Sequence, residues 1–306
     1  MTDLPRQTRS FLTSEFERRG LYPRHDLGQN FLVDLNLHDF IVEQADLQPH
    51  DVVLEVGTGT GALTSAILMQ AGTVVSVEYD RRMHELAREM IGGRDNVVLL
   101  NCDALKNKNR LASEVLQAVT AALDEIPADE AKSLKLVANL PYNVATPVIS
   151  NLIATELPWT RMVVTIQYEL AERMAAAPGT SAYSALTVWL QAQTKVSLLR
   201  KLGPAVFWPR PQVDSAIVRI DRDLELQQRI VDREFFHSFI RDVFTQRRKR
   251  LRGVVANQFK SRCDKSEIER AFEEAGISLE SRAEQLSPAE LVALSNSLRN
   301  RVGPAE

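Results

Sequence analysis

The chain has 306 residues, 44% of them hydrophobic, which is enough for one large domain and a smaller one. Two cysteines, Cys102 and Cys263, and five histidines without ligand spacing exclude a disulfide framework and predict that the protein holds no metal. The lack of a run of about 18 apolar residues and of a cationic leader predicts a cytoplasmic protein without a membrane partner. A net charge of −3 argues against a nucleic-acid partner unless the cations are concentrated locally.

Residues 1–24 are predicted to form an N-terminal extension with helical character. Phe11, Leu12 and Phe16 are spaced so that they could pack on the body of the protein, while Arg18 and Arg19 would face outward. A docked helix and a frayed terminus are both consistent with this segment.

The first candidate ligand site is a glycine loop between a strand and a helix. The β-branched run Val52–Val56 predicts a buried strand, and Gly57, Gly59 and Gly61 follow it directly. Glycine at such positions lets a ligand approach the backbone closely. Dinucleotide fingerprints usually space their glycines differently. Strictly alternating glycines with an acid two residues upstream, here Glu55, are typical of methyltransferases that bind S-adenosylmethionine.

Polar side chains end the next predicted strands. Glu78 follows a valine-rich run, and Asp103 and Asn139 follow later apolar runs. Successive parallel strands of an open α/β sheet end in one crevice, so we expect these side chains to share a site with Gly57. Glu78 lies about 20 residues beyond the loop, where an acid can hold ribose hydroxyls, and Asp103 could accept from an adenine amine.

The tetrapeptide of Asn139, Leu140, Pro141 and Tyr142 predicts methyl transfer to N6 of adenine in a nucleic acid. The lone pair of this amine is delocalised into the ring, and acceptors held by an enzyme can make the nitrogen more tetrahedral. Asn139 offers a side-chain carbonyl, and Pro141 stiffens the turn that presents the Leu140 carbonyl. Tyr142 offers an extruded base a stacking surface worth about 1–3 kcal/mol. Positioning and electrostatics would carry the reaction without a strong base.

Alternating strand and helix patterns predict a Rossmann-like α/β domain over residues 25–222, with a largely parallel sheet covered by helices on both faces. An antiparallel pair of strands, near residues 195–202 and 215–220, is expected at the sheet edge. The segment 106–134 reads as an added amphipathic surface helix with an acidic tail and no chemical role. The pattern then becomes helical, which predicts a small all-α domain over residues 223–306.

Cations are concentrated between Arg241 and Arg252, where six of 12 residues are Arg or Lys. A basic helix of this kind predicts contacts to phosphates. A merely solvated helix end is the alternative.

Four motifs together resemble the ribosomal RNA adenine N6,N6-dimethyltransferase family, and most closely its bacterial small-subunit branch. They are the run Leu27 to Leu32, the tetrapeptide, the run Phe207 to Ser215, and Gln246 to Lys249, in that order. The resemblance covers about residues 24–295. It implies that S-adenosylmethionine is the methyl donor and that small-subunit ribosomal RNA, in an immature 30S particle, is the partner of a monomeric enzyme.

The resemblance also implies which residues meet the cofactor. Contacts are expected from Asn30, Leu32, Gly57, Gly59, Glu78, Asp103 and Asn139. Glu55 is expected behind the loop, orienting it near the sulfonium. The family loop commonly has proline where this chain has Thr58, so we expect a less rigid loop here.

Other roles concern the RNA. Tyr142 and Phe207 would hold the target adenine between their rings. Arg247, Arg248 and Lys249 would contact RNA or support the interface between domains. The reaction implied is methylation of two adjacent adenosines, twice each, in a hairpin loop near the 3′ end of the small-subunit RNA, with a role in subunit biogenesis.

Three alternatives stay open. A family member could act on large-subunit RNA and confer antibiotic resistance, although its tetrapeptide usually has isoleucine or valine where Leu140 stands. A ribosome-assembly or transcription factor could keep the fold without catalysis. A nicotinamide dehydrogenase would have no use for the tetrapeptide.

Overall fold

The computed structural model describes residues 7–302. Contacts divide the chain into two compact units. The first runs to Ala171 and resumes over Ser197–Asp221, and the second comprises Glu172–Val196 and the chain from Arg222 onward.

The strands of the described chain are β1 (Phe31–Leu32), β2 (Val52–Val56), β3 (Thr73–Val77), β4 (Val97–Leu100), β5 (Leu105–Asn107), β6 (Arg110–Leu111), β7 (Leu134–Asn139), β8 (Trp159–Gln167), β9 (Thr194–Leu202), β10 (Phe207–Trp208) and β11 (Ser215–Arg222). The α-helices are α1 (Arg9–Arg19), α2 (Leu35–Ala45), α3 (Ala62–Ile67), α4 (Arg81–Ile91), α5 (Ser113–Asp124), α6 (Ala145–Ala154), α7 (Tyr168–Met174), α8 (Ala185–Gln191), α9 (Leu224–Gln228), α10 (Arg233–Phe244), α11 (Leu251–Gln258), α12 (Lys265–Glu274) and α13 (Pro288–Val302).

The main sheet has the strand order β4, β3, β2, β7, β8, β11, β9. The first five strands are parallel neighbours, and β11 is antiparallel to β8. Every residue of β2 is buried, as expected for a near-continuous apolar strand in a parallel sheet. The predicted α/β class is confirmed, with β11 and β9 together at one edge.

The segment 106–134 differs from its prediction. Its first part is a hairpin of β5 and β6, and α5 packs against β2 and β3 as part of the sheet's helical cover. Val115 and Val119 are buried at 0% and 1% exposure. The amphipathic pattern was therefore recognised, but the apolar side of this helix faces the core of the fold.

The N-terminal helix α1 is docked, which resolves the two alternatives for residues 7–20. Leu12 and Phe16 are buried, and the ring of Phe16 contacts the rings of Phe31 and Trp208 edge-on at centroid distances of 5.4 and 5.0 Å. The helix ends at Gly20, which adopts a left-handed conformation. The prediction for residues 1–6 lies outside the described residues.

The second unit is helical, but it begins earlier than the sequence predicted. The helix α8 packs on α10 and α13, with the ring of Trp189 centred 4.5 Å from that of His237. Glu172–Val196 therefore belongs with the helical unit, whereas the predicted boundary was a single point near residue 222. Within the described chain, no helix is long and apolar enough to cross a membrane.

Candidate active site

A cavity of about 320 Å³ opens where β2, β3, β4 and β7 end. Its wall is built by the following residues: Leu27, Gly28, Gln29, Asn30, Phe31, Val56, Gly57, Gly59, Val77, Glu78, Tyr79, Cys102, Asp103, Ala104, Asn139, Leu140, Pro141, Tyr142, Asn143 and Val144. The volume lies in the range of small-molecule sites. Convergence of parallel strand ends thus brings most of the predicted cofactor residues together.

The glycine loop and the tetrapeptide are packed against each other. Gly57 has φ +88°, and a Cβ there would lie 3.0 Å from Cδ of Pro141. A Cβ at Gly59, whose φ is +56°, would lie 3.2 Å from the ring of Phe31. Both positions therefore need glycine for backbone conformation and for space.

A chain of buried hydroxyl groups ties the loop to the carboxyl of Glu55. Oε2 of Glu55 accepts from Thr64 Oγ1 at 2.5 Å and from Ser76 Oγ at 2.6 Å, and Ser76 Oγ lies 2.6 Å from Thr58 Oγ1. Burial raises the pKa of the Glu55 carboxyl to about 8, although the two donated hydrogen bonds oppose the shift. Glu55 lies behind the loop and does not line the cavity.

The hydroxyl of Thr58 adds a buried hydrogen bond to the loop, while the lower rigidity expected from the lack of proline stays a prediction. The side chain of Thr58 is 5% exposed and its hydroxyl is hydrogen-bonded into this buried chain. A proline at this position could not make that hydrogen bond. A side-chain hydrogen bond therefore holds the loop at the position where the family commonly has proline.

The carboxyl of Glu78 accepts two backbone hydrogen bonds, one of them from the glycine loop. Its Oε2 accepts from the backbone N–H of Gly59 at 2.8 Å, and its Oε1 accepts from that of Asp80 at 2.8 Å. The side chain is 7% exposed, and burial raises the pKa of its carboxyl. Each oxygen keeps a lone pair for a ligand hydroxyl in the cavity.

Asn139 is fixed by the segment that precedes α2. Its Nδ2 donates to the backbone carbonyl of Asn30 at 2.9 Å, which sets the orientation of the amide and leaves Oδ1 as the acceptor. The side chain of Leu140 is 1% exposed and its N–H donates to the Thr165 carbonyl at 3.1 Å. Leu140 lines the cavity, and a role for its backbone carbonyl in holding the amine stays a prediction.

Tyr142 lies at the cavity wall with its hydroxyl anchored. Its Oη is 2.6 Å from Oγ of Ser215, a residue of β11 that is 0% exposed. Desolvation raises the pKa of the Tyr142 hydroxyl, so it is neutral at physiological pH. The motif at 207–215 thus reaches the site through Ser215, a contact that the sequence did not identify.

Leu32 and Phe207, which were predicted to meet the cofactor and the base, lie outside the cavity wall, as Glu55 does. Phe207 is 1% exposed and belongs to the core cluster that also holds Leu32 and Val163. Leu32 and Phe207 are paired across β1 and β10, so both side chains are committed to the core. In this structure the ring of Phe207 does not face Tyr142 across the cavity.

Asp103 lies at the rim of the cavity, where its Oδ1 accepts from the N–H of Leu105 at 2.9 Å. Sequence reasoning missed Gln29 and Asn143 as wall residues. Gln29 Nε2 donates to Oδ2 of Asp80 at 3.2 Å and so ties the wall to the start of α4. The available signals were the place of Gln29 inside the motif from Leu27 to Leu32 and the position of Asn143 directly after the tetrapeptide. In residues 7–302 no His, Cys, Asp and Glu side chains are grouped to hold a metal ion.

The predicted RNA-binding residues separate into two kinds within the second unit. Arg247 donates from its guanidinium to the carbonyls of Tyr183 and Ser181, and its Nε is 3.6 Å from a carboxylate oxygen of Glu284. Arg248 and Lys249 are exposed. Arg247 is therefore engaged inside its own unit, and the other two cations face solvent.

Comparisons with known proteins match a stretch of the chain that includes the residues of the cavity wall. A family model described as "Ribosomal RNA adenine dimethylase" matches residues 21–300. The "Ribosomal RNA small subunit methyltransferase A" of Halothermothrix orenii is 36% identical over 272 residues, 89% of this chain and 87% of that protein. The protein of the same name from Geobacillus sp. (strain WCH70) is 35% identical over 298 residues, 97% of each chain.

A solved structure has the same fold. The crystal structure of a dimethyladenosine transferase from Plasmodium falciparum has a TM-score of 0.72 at 24% identity, and the match covers 88% of this chain and 97% of that one. The family model spans both the glycine loop and the tetrapeptide that build the cavity. The chain belongs to the ribosomal RNA adenine dimethylase family.

Proposed function

We propose that this protein transfers methyl groups from S-adenosylmethionine to N6 of adenosines in small-subunit ribosomal RNA. The observation that carries the proposal is the amide of Asn139, held at the cavity wall by the Asn30 carbonyl with its Oδ1 left to accept. That acceptor lies beside a glycine loop and a tyrosine ring, which together match what a methyl donor and a base require.

The cavity fits the proposed donor. Gly57 and Gly59 line the cavity, and Glu78 presents carboxylate oxygens suited to ribose hydroxyls. Asp103 lies at the rim, where it would accept from the adenine amine of the cofactor. When bound, S-adenosylmethionine supplies an electrophilic methyl group on a sulfonium.

The protein side of the reaction is positioning. Asn139 Oδ1 and the Leu140 carbonyl would accept the two amine hydrogens of adenine and aim the nitrogen lone pair into the cavity. Tyr142 would stack on the extruded base, since RNA sequence is read mainly in unpaired loops. After the transfer the nitrogen carries a positive charge, so its N–H is acidic enough to lose the proton to water.

A neutral amide suits two successive transfers to one nitrogen. After the first transfer only one amine hydrogen remains, so one acceptor loses its partner. Leaving an amide oxygen without a partner costs less free energy than leaving a desolvated carboxylate without one. The neutral amide therefore supports dimethylation of the nitrogen. From the family to which the chain belongs, we also propose that the targets are two adjacent adenosines in a hairpin loop, on an immature 30S particle in the cytoplasm, and that the enzyme is a monomer.

The test is a methyl-transfer assay. Purified protein and labelled methyl donor are incubated with unmodified small subunits, unmodified large subunits and free RNA, and the products are mapped by mass spectrometry. We expect N6-dimethyladenosine at two neighbouring positions of the small-subunit RNA. Labelling of the large-subunit RNA alone would instead support the resistance-type alternative, and no labelling together with no affinity for the donor would refute the proposal.

A further inference from the structure

A basic hairpin begins directly after a residue of the cavity wall and has no role in the chemistry described above. It consists of β5, the turn at Lys108 and Asn109, and β6. Lys106, Lys108 and Arg110 alternate along it with asparagines, and residues 106–110 are exposed. Ala104, which lines the cavity, precedes the hairpin immediately.

The three cations are not neutralised by the protein. Within residues 7–302, no ion pair involves the side chain of Lys106, Lys108 or Arg110. The charge of Lys106 acts on Glu114, but the pKa of this carboxyl is lowered mainly by hydrogen bonds from its own backbone and from Ser113 and only lastly by Lys106. The Oδ1 of Asp103, the acid that precedes the hairpin, accepts from the N–H of Leu105 at 2.9 Å. Neither forms an ion pair with a hairpin cation.

Apart from Glu114, the acidic residues of the same segment lie at or beyond the far end of α5. Asp124, Glu125, Asp129 and Glu130 come at or after the end of α5, a helix of 12 residues and thus about 18 Å long. This exceeds a Debye length of about 10 Å at 0.1 M salt. The segment 106–134, acidic in sum, therefore presents a separate positive end next to the cavity.

The hairpin is anchored, so its charges are held in place. Leu111 and Ala112 are buried at 5% and 6% exposure. The N–H of Asn109 donates to Oδ1 of Asn107 at 2.9 Å, and Nδ2 of Asn151 in α6 donates to the Lys108 carbonyl at 3.4 Å. The helix α6 begins just after the tetrapeptide, so both sides of the hairpin are tied to elements that build the cavity.

We propose that the hairpin of Lys106, Lys108 and Arg110 binds phosphates of the RNA strand that delivers the target adenosine. A base extruded into the cavity brings its own and the adjacent phosphates to the rim, where unpaired cations on a fixed support would hold them. Neutralised phosphates release counterions, which gives affinity without sequence information. This proposal rests on the proposed function, because it names a contact made by the same substrate.

The test variant carries Lys106→Gln, Lys108→Gln and Arg110→Gln. A matched control carries Arg88→Gln, Lys260→Gln and Lys265→Gln, which removes the same charge from exposed positions elsewhere. Affinity for a synthetic RNA hairpin with two adjacent loop adenosines is measured from about 50 to 200 mM salt, the range over which phosphate contacts weaken strongly. Melting temperature and the Kd for S-adenosylmethionine are measured beside it.

We expect the salt slope of the hairpin variant to be smaller by about 2, at about 0.7 per phosphate for a single strand, with a raised KM and an unchanged kcat. The cofactor Kd and the melting temperature should match those of the wild type. A slope and KM equal to those of the control would overturn the proposal, and so would a loss of cofactor affinity, which would assign the hairpin to the cavity wall. Because RNA affinity is measured without methyl transfer, failure of this proposal is distinguishable from failure of the proposed activity.

Discussion

Asn139 is the residue on which the proposed chemistry depends most directly. We expect Asn139→Ala to lower kcat by about 10²–10³, as removal of one preorganised polar contact to a reacting group does elsewhere. The cofactor Kd should change far less, because Asn139 is one of many residues that line the cavity. Single-turnover methylation and calorimetry separate the two effects.

The matched control is Asn143→Ala, which removes an amide from the same cavity wall but not from the strand end. It should retain most of the turnover. Equal losses in both variants would show that Asn139 has no special part in holding the amine.

Ser215 and Tyr142 should act as one unit. Their hydroxyls are 2.6 Å apart, and Ser215 is fully buried, so each substitution removes the same hydrogen bond, worth about 1 kcal/mol. We expect Ser215→Ala and Tyr142→Phe each to weaken RNA binding several-fold. The double variant should bind RNA as tightly as the single variant that has the lower affinity. Additive losses in RNA affinity, measured by a double-mutant cycle, would contradict a shared role in setting the tyrosine ring.

Glu55 should give the protein a stability that falls as pH rises. Its carboxyl pKa is raised from about 4.5 to about 8 in the folded protein, so between these values the folded state binds a proton that the unfolded state has released. The stabilisation is complete below pH 4.5 and is lost as pH rises through about 8, with a slope of at most about 1.4 kcal/mol per pH unit.

Urea denaturation between pH 5 and 9 measures this slope. Glu55→Gln keeps the size of the side chain and removes the titration, so its free energy of unfolding should depend less on pH over that range. Parallel pH profiles of the variant and the wild type would mean that Glu55 is ionised in the folded protein.

At the scale of elements, α1 supports the cavity from outside. Phe16 packs on Phe31, and the ring of Phe31 lies against Gly59. We expect Phe16→Ala to destabilise the protein by about 3–5 kcal/mol and also to weaken cofactor binding, because the wall loses its support. The exposed residue Arg9 on the same helix provides the control, and Arg9→Ala should change neither quantity.

Thermal melting and calorimetry check both parts. If Phe16→Ala lowers the melting temperature while the cofactor Kd stays constant at a temperature where the variant is folded, α1 stabilises the fold without supporting the loop.

Local patterns were sufficient for the elements that meet at the cavity. The glycines directly follow the apolar run that forms β2, and the tetrapeptide directly follows the apolar run that forms β7. Their position at strand ends could therefore be predicted from these runs alone. Contacts between distant segments were not predictable in this way. The pairing of Phe207 with Leu32, and the bond between Thr58 and Ser76, depend on how separate segments meet in the fold. The assignment of Glu172–Val196 to the helical unit likewise depends on packing by α8.

At the scale of the whole molecule, a net charge of −3 is compatible with an RNA substrate because of how the charges are arranged. Arg18 and Arg19 in the first unit, and Arg299 and Arg301 in the second, are engaged by carboxylates. We therefore expect affinity for phosphate to depend on the exposed cations that remain, such as those of the basic hairpin and the pair Arg248 and Lys249.

The motif at residues 246–249 should therefore separate into two functions. We expect Arg248→Gln with Lys249→Gln to lower the magnitude of the salt slope of RNA binding by about 1–2 without changing the melting temperature. Arg247→Gln should instead lower the melting temperature, because the carbonyls of Tyr183 and Ser181 lose a charged donor, at a cost of about 1.5–3 kcal/mol per bond. Its salt slope, measured where the variant is folded, should match the wild type. A reduced slope for Arg247→Gln with unchanged stability would place that arginine on the RNA, and the hydrogen bonds seen here would then describe the protein before its substrate is bound.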